Sequence, residues 1–211
     1  MKVGFFNVWR GDTTHIVCAD MMIRSVRRTM PGVEIVQLTD LDSPQLHGVD
    51  RCERLPAAAS ALLHCRHFAE LPGDWLLLDT DVLVERDVRD VFRWPFDIAV
   101  ADRIGTMVNG EVGSKFMQDC PYNCGVVFSR SPEFWRECCT LVEAMSPDKQ
   151  RFMGIQYAAC EVIAANRYYC KILPGLEYNY PPRSREDDTA AAILHFKGRR
   201  KAMMLARMAQ A

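Results

Sequence analysis

The sequence predicts an α/β domain whose mainly parallel central sheet carries helices on both faces. Three observations predict it. Short apolar runs alternate with segments of helical periodicity through the first third of the chain. The run Trp75 to Leu78 is apolar at every position, as a strand covered on both faces requires. At 211 residues and 49% apolar, the chain has ample material for one large core.

Lys2 to Val8 reads as the first strand. Gly11-Asp12-Thr13-Thr14 turns it into a helix whose apolar positions Ile16, Ala19, Met22, Ile23, Val26 and Met30 keep helical spacing, and Pro31-Gly32 stops that helix. Val33 to Leu38 is the second strand. A polar connection with turn signals at Ser43-Pro44 and His47-Gly48 follows. Pro56 suits the first turn of a helix running to about Leu71, and Pro72-Gly73 ends it before the Trp75 strand.

Beyond Asp81 the spacing predicts a short helix over Val88 to Phe92, a strand over Phe96 to Ala101, a long loop from Arg103 to Pro121 and a strand over Gly125 to Ser129. Ser131-Pro132-Glu133 opens a helix with a capping serine, carrying Phe134, Cys138, Leu141 and Val142 inward. A helix over Phe152 to Asn166 and strands over Cys170 to Leu173 and Ala191 to His195 complete the pattern. From Lys197 onward there are five basic residues and no acidic one.

The chemistry starts at Asp79-Thr80-Asp81. In an extended chain residues i and i+2 point the same way, so both carboxylates face one spot beyond a strand end, where ligands collect in open α/β sheets. A hard divalent cation such as Mg²⁺ or Mn²⁺ suits that spot. On the tripeptide alone, a solvated turn fits equally well.

Composition excludes several classes. A net charge of −1 argues against a general nucleic-acid coat. Nine cysteines without a Cys-x-x-Cys pair, several in apolar helical patterns, point to reduced thiols and a cytoplasmic setting. No leader-like start precedes the first strand, and no apolar run reaches the length that spans a bilayer. His64, Cys65 and His67 suggest zinc, but adjacent residues diverge on a helix, which argues against a shared site.

Four separated segments carry a resemblance: Trp75 to Asp81, Tyr122-Asn123-Cys124-Gly125-Val126-Val127-Phe128, Leu173-Pro174 with Tyr178-Asn179, and His195-Phe196-Lys197-Gly198-Arg199-Arg200-Lys201. In this order they resemble family 8 glycosyltransferases, the group that includes glycogenin and bacterial lipopolysaccharide galactosyltransferases. Most specific is His-Phe-x-Gly-x-x-Lys about 114 residues after Asp-x-Asp. The similarity runs from the first strand to Lys201.

The resemblance implies a Rossmann-like GT-A fold and retaining transfer of a hexose from a UDP-sugar to a hydroxyl acceptor. Metal ligands map to Asp79, Asp81 and His195, with Mn²⁺ favoured over Mg²⁺ by the imidazole. Gly198 and Lys201 map to the diphosphate, Asn123 and Gly125 to the donor sugar, Arg66 to the donor sugar or phosphate, and Asn7, Trp9 and His15 to the uracil base. Gln156 maps beside the anomeric carbon. Asp102, after its strand, is a candidate to take the acceptor hydroxyl's proton. Residues 1–102 would form the nucleotide-binding half, 103–201 the sugar and acceptor half, and 202–211 a tail. The basic run Lys197 to Lys201 is expected to close over the diphosphate as a lid, so that truncation after Leu194 would spare most of the sheet yet abolish metal-dependent donor binding.

There are departures. Ile155 stands where the family usually has an acidic residue before Gln156, and Ala202-Met203 where Pro-Trp often follows the final lysine. Two alternatives stay open: a haloacid dehalogenase-like phosphatase with Asp79 as nucleophile and Asp187-Asp188 as its second acidic pair, and a nucleotide-sugar-binding protein without activity. The acceptor, whether glycan, protein, lipid or modified DNA base, is not specified, because it is recognised by loops.

Overall fold

The computed structural model describes residues 1–103, 107–108, 111–112, 119–151, 153–184 and 190–208. Strands β1 (Lys2–Phe6), β2 (Glu34–Asp40), β3 (Arg51–Leu55), β4 (Trp75–Leu78), β6 (Ile98–Asp102), β9 (Tyr122–Ser129) and β10 (Cys170–Leu173) form a seven-stranded sheet in the order β10-β6-β9-β4-β1-β2-β3. Only β9 runs antiparallel to its neighbours. The mainly parallel sheet is as expected. Strand β5 (Val82–Val84) leaves that sheet and pairs antiparallel with β11 (Ile193–His195), while Met107–Val108 (β7) and Glu111–Val112 (β8) pair with each other.

Helices α1 (Thr13–Thr29), α2 (Ser60–Ala69), α3 (Pro132–Glu143), α4 (Pro147–Arg151), α5 (Gly154–Ala164), α6 (Gly175–Tyr178) and α7 (Lys201–Met208) complete the described elements, with 3₁₀ turns at Arg89–Arg93 and Gly198–Arg200. Alternate residues of each strand serve opposite faces. Val3, Phe5, Leu76 and Leu78 pack with Met22, Ile23 and Val26 of α1, while Trp75 and Leu77 pack with α2, α3 and α5. This two-sided burial is why β4 is apolar throughout.

Helix α1 starts where Asp12 accepts a bond from the Thr14 amide (2.8 Å). Helix α3 starts where Ser131 Oγ accepts from the Phe134 amide (3.2 Å), with Pro132 in its first turn. It buries Trp135 besides Phe134, Cys138 and Val142, leaving Leu141 half-buried.

Three expectations are corrected. Arg51–Leu55, read as part of a polar connection, is an edge strand, and α2 therefore begins at Ser60 rather than Pro56. Its sequence Arg-Cys-Glu-Arg-Leu has no alternation because charges guard an exposed edge, here with Arg51 bonded to Glu34 and Glu53. The helix expected over Phe152 to Asn166 begins at Gly154, after Met153 in a left-handed conformation (φ 65°), with Phe152 outside the described residues. The basic C-terminal segment is no loose lid: α7 packs on α1, and Phe196 and Met204 are fully buried beside Cys18, Leu83 and Leu194. Truncation after Leu194 would open this small core as well as remove Lys201. No described helix is long and apolar enough to cross a membrane.

Candidate functional site

The chain adds β2 and β3 on one side of β1, then returns to place β4 on the other side. The carboxyl ends of β1 and β4 therefore border a crevice where the strand order reverses, the position at which open α/β sheets bind ligands. Asn7 follows β1 there, and Asp79-Thr80-Asp81 occupies the turn between β4 and β5.

Pairing of β11 with β5 sets His195 opposite Val82, next to Asp81. His195 Nε2 lies 3.2 Å from Asp81 Oδ1 and 3.5 Å from Asp79 Oδ2. Candidate ligand atoms of the three side chains fall within 4.8 Å of one another, the one such group among the described residues. On its other side, Nδ1 of His195 meets Asn179 Oδ1 at 2.8 Å. Donation of an Nδ1 proton to that oxygen leaves the Nε2 lone pair facing the carboxylates, as a metal ligand requires. Lys201 bonds the other oxygen of Asp81. Gly125 completes the cradle: a Cβ there would lie 2.6 Å from Asp79 Oδ2 and 2.8 Å from His195 Nδ1.

The electrostatics fit a cation. Burial pushes the His195 ring down, to about 4, keeping it neutral and free to ligate. For Asp81, burial would raise the pKa, but its contact with the His195 ring edge and the bonded Lys201 ammonium outweigh it and hold the carboxyl well below the usual range. Crowding by protein, then the like charge of Asp81, push Asp79 up. Its side chain is still 42% exposed, so water moderates the first cause. Two carboxylates and an imidazole lone pair converging without an intervening cation repel one another, whereas two oxygens and a nitrogen suit Mn²⁺ or a similar metal. Asn179→Ala is expected to weaken Mn²⁺ affinity about ten- to a hundredfold by freeing the imidazole. Calorimetry showing the parent's affinity in this variant would remove Asn179 from that role.

Two cavities meet at this cluster. The first, about 490 Å³, is lined by Asn7, Trp9, Asp12, His15 and Ile16 among others. The second, about 660 Å³, is lined by Arg103, Asn123, Gly125, Ile155, Gln156 and Lys197 among others. Ser60, His64, Asp79, Asp81 and Lys201 line both and form the neck between them.

Most of the expected site residues converge here. Asn7, Trp9 and His15 border the first cavity, and Asn123, Gly125, Gln156 and Gly198 the second. The amide of Gln156 is committed to backbone: Oε1 accepts from Cys124 (3.0 Å), and Nε2 donates to Tyr122 O (2.7 Å). It braces the strand on either side of Asn123. Arg66 is not brought in, since it points outward to Glu143 at 3.1 Å. Nor is Asp102, whose carboxylate accepts from the Gly175 amide at the start of α6. The phosphatase alternative's Asp187 and Asp188 lie outside the described residues.

Sequence reasoning gave no site role to Asn179 or His64. Asn179 lay within the motif Tyr178-Asn179, which was the available signal. His64, Cys65 and His67 form no shared metal site, as their divergence on a helix implies: Cys65 is in the apolar core, and His67 Nε2 meets Thr39 O at 2.8 Å.

No protein-family description matches the chain, and no curated protein sequence does. Solved structures do match. The galactosyltransferase LgtC, in complex with donor and acceptor sugar analogs, is 13% identical with a TM-score of 0.62, over 94% of this chain and 88% of that one. A glycosyltransferase involved in glycosylation of the major capsid of PBCV-1 is 14% identical with a TM-score of 0.65, over the full length of both. The fold is that of GT-A glycosyltransferases. GlyE of Streptococcus pneumoniae, also a glycosyltransferase, is 16% identical with a TM-score of 0.62, over 95% of this chain and 55% of that one. In this GT-A fold the acidic pair, His195 and the two cavities form one connected site.

Proposed function

We propose that the protein is a metal-dependent, retaining glycosyltransferase that moves a hexose from a UDP-sugar to a hydroxyl acceptor. The observation that carries this reading is the Asp79-Asp81-His195 cluster, with Lys201, at the neck between two cavities in a GT-A fold. A nucleotide sugar is a nucleoside and a sugar joined by a diphosphate, so the cavities suit its two ends and the neck its charged middle. A cation held by the cluster supplies Lewis-acid stabilisation of the leaving diphosphate.

The chain's own residues supply the rest. Asn7 Nδ2 is buried without a partner among the described residues and borders the first cavity, where a uracil carbonyl would satisfy it. Trp9, 40% exposed, offers a ring to the base. In the second cavity Asn123 Oδ1 accepts from the Gly125 amide (3.1 Å), which leaves its Nδ2 for a sugar hydroxyl. Gln156 holds Asn123 in place. Lys197 and Lys201 bring ammonium groups to the growing negative charge. Ile155 presents an apolar wall in the second cavity, so donor-sugar specificity is expected to differ from that of enzymes with an acidic residue there.

With Mn²⁺ present, the right UDP-sugar at a hundredfold excess over its Kd should raise the thermal midpoint by on the order of 5–10 °C, and without metal by far less. A screen in which no nucleotide sugar stabilises the protein, with or without Mn²⁺, would overturn the reading. Retention is tested separately, by product NMR. Stabilisation by UDP-sugars with neither transfer nor slow hydrolysis would favour the inactive binding protein.

A further inference from the structure

His64 has no role in the site as described so far, yet it stands where the two cavities meet. With Ser60 it forms the α2 side of the neck, one helical turn apart and on one face. Asp79, Asp81 and Lys201 complete the lining. The imidazole stacks on Phe6 at the end of β1 (centroids 4.4 Å apart, planes 13° apart) and meets Phe68 edge-on at 4.4 Å. These contacts fix the plane of the ring. None of them uses its nitrogens, which have no hydrogen-bond partner among the described residues. His67, one turn away, is satisfied by Thr39 O. An imidazole locked in orientation by aromatic contacts and unpartnered at a binding neck has its polar edge left for a ligand.

We infer that His64 is a binding residue for the donor's diphosphate, donating a ring N–H to a phosphate oxygen, with Ser60 Oγ as a second donor beside it. The neck is where a ligand reaching into both cavities must place the group that joins its ends. Lys201, and the cation that Asp79, Asp81 and His195 would hold, would engage that group through charge. His64 engages it through a fixed neutral donor, because burial, then the proximity of His67, push its pKa down to about 3. The division of labour explains how α2 serves the site although Arg66, two residues on, faces away toward Glu143.

This inference rests on the donor reading above, and calorimetry with UDP and Mn²⁺ separates the two. His64→Phe keeps an aromatic ring against Phe6 and Phe68 and removes both nitrogens. It should weaken UDP about ten- to a hundredfold with the thermal midpoint of the unliganded protein little changed. His64→Asn or His64→Gln, which restores an amide N–H near the Nδ1 or Nε2 position, should recover part of that affinity in at least one case. In the parent, the His64 ¹³Cε1 resonance should move on adding UDP but not uridine; this arm needs no variant to fold. Normal UDP binding by His64→Phe, or a His64 resonance indifferent to UDP, overturns the inference and leaves the donor reading standing. A parent that binds no UDP with Mn²⁺ overturns both.

Discussion

Gly125→Ala is expected to abolish metal-dependent donor binding while the protein stays folded. The expected cause is space, since Gly125 does not use a left-handed backbone. A methyl group there would sit 2.6 Å from Asp79 Oδ2, 2.8 Å from His195 Nδ1 and closer still to His195 Cε1. Two of the three candidate ligands must therefore move together. His195 has little freedom, being 2% exposed and bonded to Asn179, so the methyl group forces it off Asn179 or forces β9 away from β4. Metal coordination tolerates only a few tenths of an ångström, so the loss of Mn²⁺ affinity should be at least about a hundredfold. The main-chain pairing of β9 with β4 and β6 does not depend on this side chain. Circular dichroism should report a folded protein and calorimetry the lost binding. Parent-like Mn²⁺ and UDP binding in Gly125→Ala would remove the Asp79-His195 cluster from function.

What could be read from the sequence divides along physical lines. Strands β1, β2 and β4 and helices α1 and α3 were legible because burial on two faces or one stripe, with a capping Asp12 or Ser131, leaves a periodic signature. Strand β3 was not, because an edge strand held by main-chain pairing and guarded by Arg51 and Glu53 has no reason to alternate. The site followed the same division. Asp79 and Asp81 are legible because a strand end fixes their directions, whereas His195 and Lys201 are singled out by the resemblance of the segment His195 to Lys201 to family 8 glycosyltransferases. Arg66 and His64 lie two residues apart on α2, roughly 200° around the helix, and which of them faces the neck depends on how α2 packs. The sequence has no local mark of that rotation. Asp102 likewise ends β6 as foreseen, but the Gly175 amide that takes its carboxylate comes from a distant segment.

Asp81→Asn should cost more Mn²⁺ affinity than Asn179→Ala, because it removes a ligand and a charge together, and it should also change how binding depends on pH. Asp81 is 6% exposed, lies against His195 Nε2 and accepts from Lys201, so an asparagine of the same shape keeps the packing but leaves the Lys201 ammonium without its anionic partner. More than a hundredfold weaker Mn²⁺ binding is expected. The pH effect follows from Asp79. In the parent, crowding, moderated by water at this part-exposed side chain, and the like charge of Asp81 push Asp79 up from the ordinary carboxylate range. As pH falls Asp79 therefore takes up a proton sooner than a free carboxyl would, and the cation must displace it. Mn²⁺ affinity should therefore fall as pH drops, with net proton release on binding. In Asp81→Asn the like charge is gone, Asp79 ionises at lower pH, and the residual binding should release fewer protons. Calorimetry in two buffers of different ionisation enthalpy measures the release directly. If Asp81→Asn binds Mn²⁺ as the parent does, with the same proton release, Asp79 and Asp81 do not act as one metal-binding pair.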